Sequence, residues 1–191
     1  MSETNPPVDI TVLRLGHRIG RDPRISTHVG LVARAFGADI FLIAGDEDPK
    51  LMQNIRDLNV RFGGPMRVEH SSSPLGWLRR FARHDAGAGE AGVAVHLTMY
   101  GEPFREVIPK IPRDRPLAVV VGGAKVPGEI YDICQFNVAV GNQPHSEVAA
   151  LGLFLDAWHE GVDLSPRFTD GRLEVHPSAS GKIVSDSESE E

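Results

Sequence analysis

Apolar positions along the chain form short continuous runs, which alternate with stretches where apolar residues recur every three or four positions. The continuous runs predict strands at residues 10–16, 38–45, 65–70, 93–101, 115–123 and 136–140. The helical spacing predicts helices at residues 26–37, 48–64, 71–84, 102–110, 124–134 and 146–159. Strands that are apolar on both faces are typical of a parallel sheet covered by helices on each side. The pattern therefore predicts an α/β protein with a mostly parallel sheet flanked by helices.

Polar and backbone-special residues mark the ends of several elements. Ser26 or Thr27 is expected to cap the first helix, and Ser146 the last one. After the last helix, the pair Asp170-Gly171 predicts the turn of a β-hairpin.

The length of 191 residues fits a single domain. We expect residues 1–8 to be a disordered N-terminal extension, residues 9–178 to form the domain, and residues 179–191 to be an acidic disordered tail. No run reaches the roughly 18 apolar residues of a membrane span. The N-terminus lacks the basic start and apolar centre of a signal peptide. These features predict a cytoplasmic protein with no membrane partner.

Charge is unevenly distributed, which changes what the net value of −6 implies. The tail SDSESEE carries four acids, so the remainder has 22 acids against 20 bases, 16 of them arginine. The segment RLGHRIGRDPR after the first strand holds four arginines, Arg14, Arg18, Arg21 and Arg24. Crowded arginines repel one another unless an anion is present, so this segment is a candidate for contacting phosphates. The alternative is a solvated loop that Asp22 partly neutralises.

Three late strands end in turns rich in glycine, proline and polar residues. These turns are HLTMYGE (96–102), VGGAKVPGE (121–129) and VGNQPHSE (140–147). Ligands of open parallel sheets bind outside the carboxyl ends of the strands. Glycine lets backbone groups approach a ligand closely, and proline stiffens a turn. Together the three turns predict one small-molecule pocket.

Several familiar ligand motifs are missing from the sequence. It has no G-x-x-x-x-G-K-[ST] phosphate loop, and VGGAKVPGE lacks the G-x-G-x-x-G spacing of a dinucleotide site. No G-x-S-x-G surrounds a serine. The histidines and the single cysteine, Cys134, form no H-x-x-x-H pair or Cys-His cluster, so no metal site is predicted and Cys134 is expected to fill the core. The absence of these motifs leaves an adenosine-bearing ligand without a tightly bound phosphate tail as the candidate for the pocket.

Four segments carry a resemblance to a known family. They are LRLGHRIGRDPRISTHVGLVARAFGAD, VHLTMYG, VVVGGAKVP and VAVGNQPHSEVAAL. Together they closely resemble the archaeal tRNA (cytidine-56) 2′-O-methyltransferases, which are SPOUT (α/β-knot) methyltransferases. The likeness spans about residues 10–160. It implies a SPOUT-like fold with a C-terminal trefoil knot, S-adenosyl-L-methionine as methyl donor, and tRNA as substrate.

The resemblance also implies which residues bind the methyl donor. They belong to the three turns described above: Leu97, Gly123, Ala124, Lys125, Val126, Pro127, Gly141, Asn142, Gln143, Pro144, His145, Ser146, Glu147 and Val148. The pocket predicted from glycine and proline therefore coincides with the implied one. Many relatives carry asparagine at the positions of His28 and His145, where this sequence departs from the family pattern.

The implied reaction moves a methyl group to a ribose 2′-hydroxyl in the T-arm loop of tRNA. Arg34, six residues after His28, matches the family's proposed catalytic arginine. Because arginine has a pKa above roughly 12 and is a poor base, two roles stay open for Arg34. It either accepts the proton with the help of a phosphate or stabilises the developing alkoxide. The four arginines of RLGHRIGRDPR would bind RNA phosphates.

The last predicted helix is apolar around most of its circumference, which indicates burial on both sides. Packing inside a monomer and packing between subunits explain this equally well, and the resemblance favours a homodimer. It stays open whether the arginine of one subunit reaches the pocket of the other. Two other functions stay open. One is a non-catalytic RNA-binding protein with a knotted scaffold, and the other is an enzyme that acts on free adenosine nucleotides.

Overall fold

The computed structural model describes residues 9–83, 91–123 and 125–188. The expected N-terminal extension, Ala124 and the last three residues of the tail lie outside the described residues. The strands are β1 (Ile10–His17), β2 (Ile40–Gly45), β3 (Arg67–Ser71), β4 (Val93–Pro103), β5 (Leu117–Gly122), β6 (Phe136–Ala139), β7 (Leu173–His176) and β8 (Ile183–Asp186). The helices are α1 (Pro23–Ala35), α2 (Pro49–Phe62), α3 (Pro74–Ala82), α4 (Phe104–Val107), α5 (Glu129–Ile133) and α6 (Glu147–His159), with short 3-10 turns at Ile108–Lys110 and Ser165–Arg167.

Strands β1 to β6 form one parallel sheet in the order β3-β2-β1-β5-β4-β6. Helices α1, α2, α4 and α6 pack on one face of the sheet, and α3 and α5 pack on the other. The predicted α/β architecture with a mostly parallel sheet flanked by helices is thus confirmed. None of the helices in the described ranges is long and apolar enough to cross a membrane.

Strand β1 shows how the alternation of side chains builds these two layers. Ile10 and Val12 enter the core beneath α1 and α6, whereas Leu13 and Leu15 enter the core beneath α3 and α5. The alternation follows from the pleat of a strand, which sends successive side chains to opposite faces. Because both faces are covered, the strand is apolar almost throughout.

The prediction that Ser26 or Thr27 caps α1 is wrong. The helix begins at Pro23, whose fixed φ suits the first helical position. Ser26 is buried inside the helix, where its hydroxyl lies 2.8 Å from Nδ1 of His17. Thr27 donates its hydroxyl hydrogen bond back to the carbonyl of Pro23, at 2.7 Å.

The C-terminal hairpin exists, but its turn is not at Asp170-Gly171. Strands β7 and β8 pair antiparallel, so the turn spans residues 177–182. Gly171 is used elsewhere, because a Cβ built on it would lie 2.3 Å from the backbone nitrogen of Gly63. The boundary expected at residue 178 therefore falls inside the hairpin. Part of the expected disordered tail forms β8, next to which Arg172 pairs with Glu188 at 2.8 Å.

Candidate active site

A cavity of about 700 Å³ lies beside the carboxyl ends of β4, β5 and β6. All three turns singled out by their glycine and proline content contribute to its wall. The lining residues are His96, Leu97, Thr98, Met99, Tyr100, Gly122, Gly123, Lys125, Val126, Tyr131, Pro144, His145, Glu147 and Ala150. The position agrees with the general rule that parallel sheets bind ligands at the carboxyl ends of their strands.

A bulge in β4 forms one wall of the cavity. Val138 of β6 is paired both with Leu97 and with Glu102, so residues 98–101 loop out between the two pairs. Gly101 allows this close approach, because a Cβ there would lie 2.5 Å from the carbonyl oxygen of Asn137. Asn142 fastens the bulge to the next turn by donating to the carbonyls of Met99 (2.8 Å) and Gly101 (3.1 Å).

The turn after β5 forms the second wall. A Cβ built on Gly122 would lie 2.3 Å from Cγ2 of Val126, so a larger residue here would force the Val126 side chain to move. Val126 and Lys125 then face the cavity. Helix α5 begins at Glu129, two residues beyond Pro127.

The third wall is the turn that leads into α6. Ser146 caps this helix, as predicted, because its hydroxyl accepts a hydrogen bond from the backbone nitrogen of Val148 at 3.2 Å. His145 lies against the carbonyl oxygen of Gly141, 3.1 Å from Nε2. Glu147, the first residue of α6, lines the cavity.

Glu147 is held by an arginine from the centre of the sheet. Nη2 of Arg14 lies 3.2 Å from Oε1 of Glu147, and Nη1 of Arg14 donates to the carbonyl of Leu15 at 2.5 Å. Arg14 is 1% exposed. Burial lowers the pKa of Arg14, whereas the neighbouring Glu147 carboxylate acts in the opposite direction.

A polar network that the sequence did not reveal forms part of the cavity wall. Nδ1 of His96 is 3.0 Å from Oδ1 of Asn137, whose amide nitrogen donates to the carbonyl of Tyr131 at 3.0 Å. The Tyr131 hydroxyl lies 3.0 Å from the hydroxyl of Thr98. Burial lowers the pKa of His96, and its bond to Asn137 opposes this effect. The one available signal was a histidine inside an otherwise apolar strand.

The residues expected to bind the methyl donor divide into two groups. Those on the cavity wall are Leu97, Gly123, Lys125, Val126, Pro144, His145 and Glu147. Those in the same turns but away from the wall are Pro127, Gly141, Asn142, Gln143, Ser146 and Val148. Asn142 and Ser146 have structural contacts instead, since one ties the turn to the bulge and the other caps α6.

Arg34 does not lie at the cavity of its own chain. It occupies the last turn of α1, a helix of 13 residues and about 20 Å that starts at the carboxyl edge of the sheet and runs back to the amino end of β2. Its Nε donates to Oδ1 of Asn59 at 3.0 Å, Nη2 donates to the carbonyl of Gly63, and the guanidinium lies 5.0 Å from the centre of the Phe168 ring. Burial lowers the pKa of Arg34. These contacts join α1 to α2 and to the C-terminal segment.

Of the four arginines expected to bind phosphates, three are exposed and one is buried. Arg18, Arg21 and Arg24 are exposed at the carboxyl edge, in the loop after β1 and at the start of α1. Arg18 is paired with Asp22 at 2.8 Å, so the alternative of partial neutralisation is confirmed for this residue. For Arg14 the expectation is wrong, because its buried side chain has no surface on which to meet RNA.

Comparison with known proteins supplies the context for this site. Residues 62–185 match the family model described as tRNA ribose 2′-O-methyltransferase, aTrm56. The chain is 54% identical over 177 residues to the tRNA (cytidine(56)-2′-O)-methyltransferase of Methanothrix thermoacetophila, covering 93% of this chain and 97% of the relative. It is 45% identical over 178 residues to the protein of the same name from Methanothermobacter thermautotrophicus, covering 93% and 96%.

Solved structures of SpoU methyltransferases share the fold. The chain is similar to the TrmH/SpoU tRNA modifying enzyme of A. aeolicus, with a TM-score of 0.59, 18% identity, and coverage of 86% of this chain and 82% of the other. It is also similar to AviRb from Streptomyces viridochromogenes, whose structure is a complex with AdoMet, with a TM-score of 0.58 and 17% identity. That match covers 78% of this chain and 56% of AviRb.

Proposed function

The chain belongs to the tRNA ribose 2′-O-methyltransferase family, and we propose that it methylates the 2′-hydroxyl of cytidine 56 in tRNA with S-adenosylmethionine as methyl donor. The observation that carries this proposal is the cavity enclosed by the three turns of β4, β5 and β6. A protein that only bound RNA would have no need of such a pocket. With tRNA as its substrate, we place the protein in the cytoplasm.

The chemistry of the cavity wall fits the proposed methyl donor. S-adenosylmethionine carries a flat aromatic base and a zwitterionic amino-acid end with an additional sulfonium charge. Leu97, Val126 and Pro144 provide apolar wall for the base. Glu147 and Lys125 provide one carboxylate and one ammonium group for charges of opposite sign. When bound, the donor supplies an electrophilic methyl group on its sulfonium.

The chain's own residues contribute mainly by positioning. The Asn142 bonds to the β4 bulge and the Ser146 cap on α6 hold the walls in place before a ligand enters. A preformed site lowers the entropy cost of aligning the ribose hydroxyl with the methyl group, which needs a separation of roughly 3–3.5 Å. The hydroxyl also loses a proton as it attacks, so a proton acceptor or a cation near the oxygen is required.

We further propose that the protein acts as a homodimer. Leu31 of α1 and Leu153 of α6 are 36% and 50% exposed, and the two helices pack side by side. This outward face of α1 and α6 is apolar enough to be buried against a second copy. A catalytic role for Arg34 requires such a partner, because in its own chain the residue lies at the other edge of the sheet.

Sedimentation at micromolar concentration is expected to show a species of twice the 20.8 kDa chain mass. A single species at the chain mass would contradict the dimer.

The trefoil knot is also a proposal. It is supported by the likeness to SpoU structures and by the strand order β5-β4-β6, in which the chain crosses β4 between two successive strands.

The exposed arginines Arg18, Arg21 and Arg24 lie at the same edge of the sheet as the cavity, which supports a role in binding tRNA phosphates. Each phosphate contact releases counterions, so the affinity for tRNA is expected to fall with salt. Replacing Arg21 and Arg24 by alanine is expected to weaken tRNA binding and to flatten its salt dependence. The affinity for S-adenosylmethionine is expected to stay unchanged.

The function is tested by transfer of a labelled methyl group to an unmodified tRNA transcript. We expect incorporation into the transcript with cytidine at position 56 and none into a matched transcript with 2′-deoxycytidine there. Equal labelling of both transcripts would overturn the assignment of the acceptor. Binding of tRNA without binding of S-adenosylmethionine in calorimetry would favour the non-catalytic RNA-binding alternative. Turnover of free adenosine nucleotides would favour the other alternative.

A further inference from the structure

The central strand of the sheet carries a buried charge that the proposed reaction does not use. Arg14 lies on β1 between Ile43 of β2 and Val121 of β5, among apolar neighbours, and is 1% exposed. A buried arginine is costly unless it is paired and hydrogen-bonded. Its Nε has no hydrogen-bond partner within the described part of the chain. The buried charge and the unpaired Nε are both unfavourable, so the position of Arg14 needs a specific explanation.

The alternation of β1 sends the Arg14 side chain toward α6. Ile10 and Val12, four and two positions earlier, point to the same face and pack in the core beneath α1 and α6. Arg14 thus meets α6 at its first residue, where Nη2 lies 3.2 Å from Oε1 of Glu147. An acid in the first turn is favourable there, because the helix dipole is positive at that end.

The guanidinium also lies directly beneath the turn that follows β5. A Cβ built on Gly123 would be 3.7 Å from Nη2 and 3.8 Å from Nη1 of Arg14. Gly123 and Glu147 both line the cavity. One side chain from β1 therefore pairs with one of the three cavity walls and lies next to a second, while its own strand contributes no residue to the described lining.

We propose that Arg14 is a positioning residue of the methyl-donor site. It orients the Glu147 carboxylate, and through it the start of α6, against the turn at Gly123, so that one carboxylate oxygen faces the cavity in a fixed place. The Glu147 carboxylate then binds the cationic part of the methyl donor. The inference rests on the proposed function for the identity of the ligand. It differs from the expectation that Arg14 binds RNA phosphates.

Calorimetry with S-adenosylmethionine and, separately, with tRNA distinguishes these roles. Arg14→Met keeps the length of the side chain and removes its charge and donors. We expect its dissociation constant for S-adenosylmethionine to rise about tenfold or more, as for a lost hydrogen bond to a charged group. The dissociation constant for tRNA and its salt dependence are expected to stay unchanged. Arg14→Lys keeps the charge but lacks the fork that reaches both Leu15 and Glu147, so an intermediate effect is expected.

Arg14→Met leaves Glu147 without its partner and is itself a folding risk. The double variant Arg14→Met/Glu147→Gln removes both charges and avoids this problem. If the two residues act as one unit, their effects do not add. The double variant then binds S-adenosylmethionine at least as tightly as whichever single variant, Arg14→Met or Glu147→Gln, has the lower affinity. Arg67→Met is the matched control, because Arg67 is an exposed arginine on β3 far from the cavity; it should bind both ligands like the wild type.

The outcomes separate the inference from the proposed function. If the folded double variant and Arg14→Met both bind S-adenosylmethionine within twofold of the wild type, Arg14 is a structural core residue and the inference is wrong. If Arg14→Met loses affinity for tRNA while its affinity for the donor is kept, the inference is also wrong. If the wild type binds no S-adenosylmethionine at all, the proposed function fails first.

Discussion

Several side chains in this protein contact residues that are distant in the chain, and the local sequence around them does not predict these contacts. Arg34 is the clearest case, because its guanidinium bonds to Asn59 and Gly63 and stacks on Phe168. Each contact joins α1 to a segment that is distant in the chain. A residue used in this way stabilises the fold, whatever else it does.

Replacing Arg34 by alanine is therefore expected to lower the melting temperature by several degrees, since it removes hydrogen bonds to partly buried acceptors. The affinity for S-adenosylmethionine is expected to stay unchanged, because the residue lies at the other edge of the sheet. Thermal unfolding and calorimetry measure the two effects. Complete loss of methyl transfer at a temperature where the variant is folded would instead show that Arg34 acts on a partner subunit's site.

Cys134 is buried in the core beneath α3 and α5, as expected. Burial raises the pKa of its thiol to about 12. The reactive thiolate is therefore almost absent at pH 8. We expect no reaction of the native protein with a thiol reagent such as Ellman's reagent, and one equivalent of reaction after unfolding in guanidinium chloride. Rapid reaction of the native thiol would contradict the burial.

Two helices of this protein begin where a single capping residue in the sequence predicts that they begin. Helix α6 begins where Ser146 can accept from Val148, and α2 begins where Asp48 accepts from the backbone nitrogen of Leu51 at 2.9 Å. Helix α1 departs from this rule because Pro23 starts it four residues before the last candidate cap. Proline geometry and capping compete at that site, and proline prevails.

The cap on α6 connects helix stability to the cavity. Ser146→Ala is expected to reduce the free energy of unfolding by about 1 kcal/mol and to weaken S-adenosylmethionine binding, because the loosened first turn carries Glu147. Ser146→Asp is the matched variant, since aspartate caps as well as serine and should keep the stability. Urea unfolding and calorimetry give the two readings. Equal stability of all three proteins would show that the cap contributes nothing.

The molecule as a whole is expected to lose stability in mild acid. Burial lowers the pKa of both His96 and His159 below the ordinary value of 6.5. The unfolded chain then binds more protons than the native protein at pH values below 6.5, so protonation favours unfolding. The stabilisation is fully present above pH 6.5 and decreases as the pH falls toward the lowered values.

This effect is measured by urea unfolding at pH 7.5, 6.5 and 5.5. We expect the free energy of unfolding to decrease across this series, and the decrease to be smaller in His159→Gln. Glutamine can still donate to the carbonyl of Phe36, which lies 3.0 Å from Nε2 of His159, but it has no proton to gain. An identical decrease in the variant would show that His159 does not contribute.

Periodicity and turn residues were sufficient to predict the strand–helix alternation, the parallel sheet and the three turns that enclose the cavity. These features depend on backbone geometry within a few residues, which local residue types control. The partner of Arg14, the sheet edge at which Arg34 lies and the turn of the C-terminal hairpin were all predicted wrongly or not at all. Each of them depends on which distant segment packs against the residue: α6 for Arg14, α2 for Arg34, and the Phe62–Gly63 backbone for Gly171. Such contacts are set by how the layers stack, and no local pattern in the chain encodes them.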